Sequence, residues 1–155
     1  EKAAELGASQ LWPLICARGL VRSPGEERLS RWRRLALAAA KQSHSAAPME
    51  VRAPIAFDDL IRGVPSGTLA LICAQGGEPL HEVIRRANRA AILIAVGPEG
   101  DFDDDERAKA AGAGFVAAGL GCNRLRSETA ALAAVSIAAG LRQDGQGSGE
   151  DAETK

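Results

Sequence analysis

The chain is predicted to fold as an α/β domain built on a parallel sheet. Three observations point there. Strand-like apolar runs alternate with helix-periodic segments along most of the 155 residues. Ala91 to Val96 is apolar at every position, as expected of a central parallel strand covered on both faces. Apolar runs also break into glycine bends, Gly97-Pro98-Glu99-Gly100 and Leu120-Gly121-Cys122-Asn123-Arg124-Leu125-Arg126. Such bends at the ends of neighbouring parallel strands can form a small-molecule site.

The elements follow in order. Glu1 to Leu6 reads as a helix capped by Gly7. Residues 10 to 17, with Leu11, Trp12, Leu14 and Ile15, read as a first strand, and Gly19 to Gly25 as a loop. From Glu26 to about Gln42 the period is helical: Leu29, Trp32, Ala36, Ala39 and Ala40 share one face. Arg31, Arg34 and Lys41 lie opposite, with Glu27 spaced to pair with Arg31. Residues 43–54 connect to a short helix that starts near Asp58 and stops by Gly63.

Thr68 to Cys73 is a second strand, with Gln75-Gly76-Gly77 as its exit loop and Pro79 suited to a helix start. Leu80, Val83, Ile84 and Ala87 give the apolar stripe of that helix. After the strand at Ala91 to Val96, Asp103 is an N-cap with Glu106 at capping-box spacing, and Gly112 ends the helix. Phe115 to Ala118 is a weak fourth strand. Ser127 is spaced to cap a last, alanine-rich helix that runs to about Leu141. The residues 143–155 are glycine-rich, polar and acidic, and are expected to be disordered. The chain opens at Glu1 rather than a methionine, which suggests a segment upstream.

Composition narrows function. The formal net charge is -1, so nucleic-acid binding needs a local patch, for which Arg31, Arg34 and Lys41 are a candidate or merely a solvated face. Aromatic content is 3% with no tyrosine, which argues against a base-stacking platform. Cys16, Cys73 and Cys122 form no CxxC pair and neither His44 nor His81 has metal-ligand spacing, so no metal site is expected. No apolar run is long enough to span a bilayer. The pyrophosphate signatures GxGxxG and GxxxxGK[ST] are absent, which makes a nucleotide-dependent oxidoreductase improbable. Read alone, Gly97 to Gly100 is either a strand-to-helix turn or a loop that lets backbone approach a ligand.

In combination these motifs resemble a known family. Gly-Pro-Glu-Gly before an Asp-capped helix, then Leu-Gly and Leu125-Arg126-Ser127-Glu128-Thr129-Ala130, is similar to the SPOUT-class RNA methyltransferases. The likeness is to those that methylate N3 of a uridine in small-subunit (16S) ribosomal RNA. Glu1-Lys2-Ala3-Ala4-Glu5-Leu6-Gly7, Trp32, Arg33 and Gln42-Ser43 also match that pattern, so the likeness runs from residue 1 to about 141. The resemblance implies a Rossmann-like parallel sheet with a C-terminal trefoil knot over residues 1–142, S-adenosyl-L-methionine as methyl donor and a homodimer. It also implies an N-terminal β-barrel RNA-binding domain that these residues lack, and a cytoplasmic, plastid or mitochondrial setting.

Carried onto this chain, the donor pocket would use Leu71, Gly97, Pro98, Glu99, Gly100, Leu120, Gly121, Leu125, Arg126 and Thr129. Arg126 would stabilise the uracil anion and Glu128 would take its proton, while Glu5, Gln42 and Arg124 would position RNA. The chain departs from the pattern in three places. Asp101 stands where the family commonly has glycine, Asn123 replaces an arginine that returns as Arg124, and Ser45 stands where a cation is usual. Loss of those cations leaves a non-catalytic, RNA-binding assembly module as the alternative.

Overall fold

The computed structural model describes residues 1–19, 23–87 and 91–146. Residues 20–22 of the expected loop after Gly19, and 147–155 of the expected tail, lie outside the described residues. The helices are α1 (Lys2–Glu5), α2 (Glu26–Gln42), α3 (Phe57–Arg62), α4 (Leu80–Ala87), α5 (Asp104–Gly112) and α6 (Ser127–Gln146). The strands are β1 (Gln10–Leu11), β2 (Leu14–Ile15), β3 (Glu50–Val51), β4 (Ile55–Ala56), β5 (Thr68–Pro79), β6 (Ala91–Ala95) and β7 (Val116–Gly119).

The main sheet is parallel, in the order β6-β5-β7. Thus β5 is central and β6, expected to be central, lies at an edge. Its apolar run reflects cover on both faces rather than lateral position. Leu93 packs on one side of the sheet, and Ile92, Ile94 and Val96 on the other.

The period of two along β5 builds the three layers. Ala70 and Ile72 face a cluster with Phe57 and Leu60 of α3, Ala110 of α5, and Phe102. Leu71 and Cys73 face a second cluster with Leu80, Val83 and Ile84 of α4 and Ala134 of α6. Leu71 is wholly buried, a position where burial alone is worth about 2 kcal/mol.

The expected first strand at residues 10 to 17 is two short pieces, each paired in parallel outside the main sheet: β1 with β3 and β2 with β4. Helix α2 matches its expected span and buries Leu29, Ala36, Ala39 and Ala40. Beneath it, Ala4, Met49 and Val51 complete a third cluster. Among the described residues the ion pair on α2 joins Glu26 to Arg33 at 2.6 Å, not Glu27 to Arg31.

Two glycines make a close crossing possible. Strand β5 extends past Cys73 to Pro79, so Gln75-Gly76-Gly77 is a bulge within it and not an exit loop. Ala118 of β7 is paired with both Cys73 and Glu78, and the residues between them swing out of register. There the backbones touch. A Cβ on Gly119 would lie 2.6 Å from Gly77 O, and one on Gly77 would lie 2.9 Å from Ala118 C.

Candidate functional site

At the carboxyl ends of β5, β6 and β7 the chain leaves a cleft of about 630 Å³, open mouth included. This end of a parallel sheet is the usual location of small-ligand sites. Three segments wall it: Cys73 to Gln75 from the β5 bulge, Val96 to Glu99 with Asp101 after β6, and Leu120 to Leu125 after β7.

The loop after β6 is shaped locally. Asp101 N donates to Pro98 O at 2.8 Å and closes a tight turn. At Gly97 a Cβ would sit 3.2 Å from Phe102 N, so a larger residue would press on the turn. Asp101 adopts a left-handed backbone, φ +61°, a region that non-glycine residues enter chiefly as Asn or Asp. Its carboxylate accepts from Phe102 N at 2.7 Å and pairs with Arg107 at 3.2 Å. Next to it, Phe102 is fully buried, its ring 5.2 Å from that of Phe57. The loop is therefore anchored in the core one residue beyond the cleft.

The loop after β7 turns at Gly121, φ +117°, and is tied across the cleft. Ser127 Oγ donates to Gly97 O at 2.7 Å, and Arg124 Nη2 donates to Glu99 O at 3.2 Å. Ser127 was expected to cap α6. Its hydroxyl spans the two loops instead, because the segment after Gly121 folds back over Gly97.

A third segment braces the site from behind. Asp103 and Glu106 form the expected capping box: Glu106 N donates to Asp103 at 2.7 Å, and Asp103 N to Glu106 at 3.0 Å. The second oxygen of buried Glu106 accepts from Ala17 N at 2.8 Å. Arg18 then donates to Gly100 O at 3.2 Å.

Of the residues singled out in the sequence, Gly97, Pro98, Glu99, Leu120, Gly121, Leu125 and Arg124 meet around the cleft. Leu71 does not line it, because its side chain points into the core beneath α4. Gly100 is turned toward Arg18. Arg126, Glu128 and Thr129 are exposed at the start of α6, just outside the cleft wall formed by Leu125 and Ser127. Glu5 pairs with Lys2 at 2.8 Å, and Gln42 is exposed at the end of α2; neither lines the cleft.

Sequence reasoning missed Asp101, Ser127 and the β5 bulge as parts of the wall. The Gly76-Gly77 pair was the available signal for the bulge, since adjacent glycines inside a strand pattern mark a bulge or a close backbone approach.

The cleft suits an uncharged thiol rather than a thiolate nucleophile. Burial, and then the charge of Asp101, push the Cys73 thiol up to about 11. Burial, Glu106 and Asp103 push Cys16 up to about 12. Among the described residues no group of His, Cys, Asp and Glu side chains could hold a metal ion, and no helix is long and apolar enough to cross a membrane.

Known proteins resemble this chain in sequence and fold. A ribosomal RNA small subunit methyltransferase E from Synechocystis sp. is 35% identical over 136 residues, covering 85% of this chain and 45% of that protein. The enzyme of the same name from Mesomycoplasma hyopneumoniae is 32% identical over 134 residues, covering 85% of this chain and 58% of its own length. A ribosomal RNA small subunit methyltransferase E from Neisseria gonorrhoeae, solved bound to S-adenosyl methionine, is 35% identical with a TM-score of 0.82. That match covers 90% of this chain and 58% of the other. The chain spans about half the length of the curated relatives it matches. The RNA methyltransferase domain family matches residues 1–139, nearly the whole described molecule, and the chain belongs to that family.

Proposed function

We propose that this chain binds S-adenosyl-L-methionine in the cleft and transfers its methyl group to N3 of a uridine in small-subunit ribosomal RNA. One observation carries the reading. The Gly97 and Gly121 loops, far apart in sequence, are hydrogen-bonded to each other around one cleft at the strand ends. The lining fits the donor's chemistry. Ala118, Leu120, Leu125 and Ala130 offer apolar surface for a base, while the turns at Gly97 and Gly121 bring backbone groups close. Asp101 and Glu99 supply anionic character beside a cationic molecule.

The bound donor supplies an activated methyl on a sulfonium. Transfer forms the N3–methyl bond, breaks the sulfur–methyl bond and releases the N3 proton. Uracil N3 is a poor nucleophile until that proton leaves. A guanidinium near the uracil oxygens favours the anion, and holding donor and base in line supplies much of the remaining rate gain. Arg126, exposed beside Leu125, is the proposed cation. Glu128 is the proposed proton acceptor, and Glu5, Gln42 and Arg124 the proposed RNA-positioning groups. Gly100 and Thr129 would support the donor indirectly, through the walls they flank.

Homodimerisation, a trefoil knot formed where the C-terminal segment passes the β5 bulge, and a cytoplasmic setting belong to the same proposal. The test is calorimetry with S-adenosyl-L-methionine, followed by mass spectrometry of small-subunit RNA for one missing uracil methyl in cells lacking the protein. Arg126→Ala is expected to lower turnover by about 100-fold or more while donor binding stays within twofold. A normal methylation rate in that variant would remove Arg126 from the mechanism.

A further inference from the structure

We propose that Asp101 is a charge-selectivity determinant of the cleft, favouring a cationic methyl donor over the neutral thioether product. The inference rests on the donor reading above.

Four observations support it. Asp101 lines the cleft while its backbone holds φ +61°, so a charged side chain occupies a conformation that glycine would take more easily. The side chain is fixed there by Phe102 N at 2.7 Å and Arg107 at 3.2 Å, which limits its rotamers. Arg107 offsets only part of the charge, because it also pairs with Asp104 at 3.0 Å, one cation serving two carboxylates. The field of Asp101 reaches across the cleft, where it helps to hold the Cys73 thiol protonated. The other formal charges on the lining are Glu99 and Arg124. Both are exposed at the mouth, where water screens them more than it screens half-buried Asp101.

Donor and product differ by one methyl and one positive charge. A fixed carboxylate several ångströms away in a partly desolvated cleft discriminates between them by about five- to tenfold. The effect would speed product release without weakening donor capture.

The experiment is calorimetry of the whole chain with S-adenosyl-L-methionine and with S-adenosylhomocysteine, for the wild type and two variants. Asp101→Asn keeps a residue that tolerates the left-handed region and an oxygen for Phe102 N. It is expected to lower the ratio of product Kd to donor Kd by about five- to tenfold, with product affinity unchanged. Arg107→Ala leaves Asp101 in place and removes its counter-charge, and is expected to move the ratio the other way. An unchanged ratio in Asp101→Asn, or equal weakening of both ligands, overturns the proposal. Failure of the wild type to bind either ligand overturns the donor reading itself, an outcome distinct from an unchanged ratio.

Discussion

Asp101 and the cysteines carry the single-residue chemistry of the site. An L-residue in the left-handed region costs about 1 kcal/mol, and here the bond from Phe102 N offsets that cost. The cysteines yield a measurable consequence. Cys122 is exposed, Cys73 is buried and Cys16 is partly covered. Iodoacetamide at pH 8 is expected to modify Cys122 first and to reach Cys16 and Cys73 only on denaturation; equal rates at all three would contradict their placement. The thiols of Cys16 and Cys73 rise from an ordinary value of 9.0 to about 12 and about 11 in the fold. Folding therefore favours their protonated forms. That stability is fully present below pH 9 and drains away as pH climbs toward 11 and beyond. The urea midpoint should fall across that range, and less steeply in Cys73→Ala. Gly97, Pro98 and Gly121 could be read from the chain because turn geometry is written in neighbouring residues. Which arginine reaches the cleft could not: Arg124 does and Arg126 stays outside, a choice made by how the loop folds over Gly97.

At the scale of elements, local signals set the helices well. Asp103 caps α5 as its spacing to Glu106 implied. Helix α5 ends at Gly112 as expected, and Gly114 at φ +86° closes it, with Phe115 N bonded back to Ala110 O in a Schellman pattern. Glu106 also holds Ala17, so Glu106→Ala removes the cap's partner and leaves the Ala17 N–H without its acceptor. It is expected to cost about 2–3 kcal/mol, read from denaturant unfolding; a loss under 0.5 kcal/mol would mean that segment 16–19 is held by other contacts. At the crossing of β5 and β7, Gly119→Ala would place a methyl against Gly77 O. Overpacking of this kind costs about 1–3 kcal/mol or more, and the backbone there has no flexible side chain to yield. A soluble variant with unchanged melting would show that the strands do not touch as described. Helix α6 runs beyond the expected Leu141 to Gln146, since the polar residues after Leu141 do not themselves break a helix.

For the molecule as a whole, two apolar clusters sandwich the sheet, and the cleft opens where both stop. Helix α6 closes one face by packing on α4 and touches α1, and we propose that its alanine-rich surface meets a second copy. Sedimentation at micromolar concentration is expected to give a dimer. A monomer under those conditions would sink the proposed homodimer.

The amino-acid sequence by itself determined the α/β class, the parallel strands, the Asp103 cap and the two glycine bends, because each depends on residues within a turn or two of one another. The tertiary structure alone decided that β5 and not β6 is central, that Ser127 bridges loops instead of capping, and that Gly77 and Gly119 touch. Those outcomes depend on the path of chain segments 23 or more residues apart, and short-range conformational preference carries no record of that path.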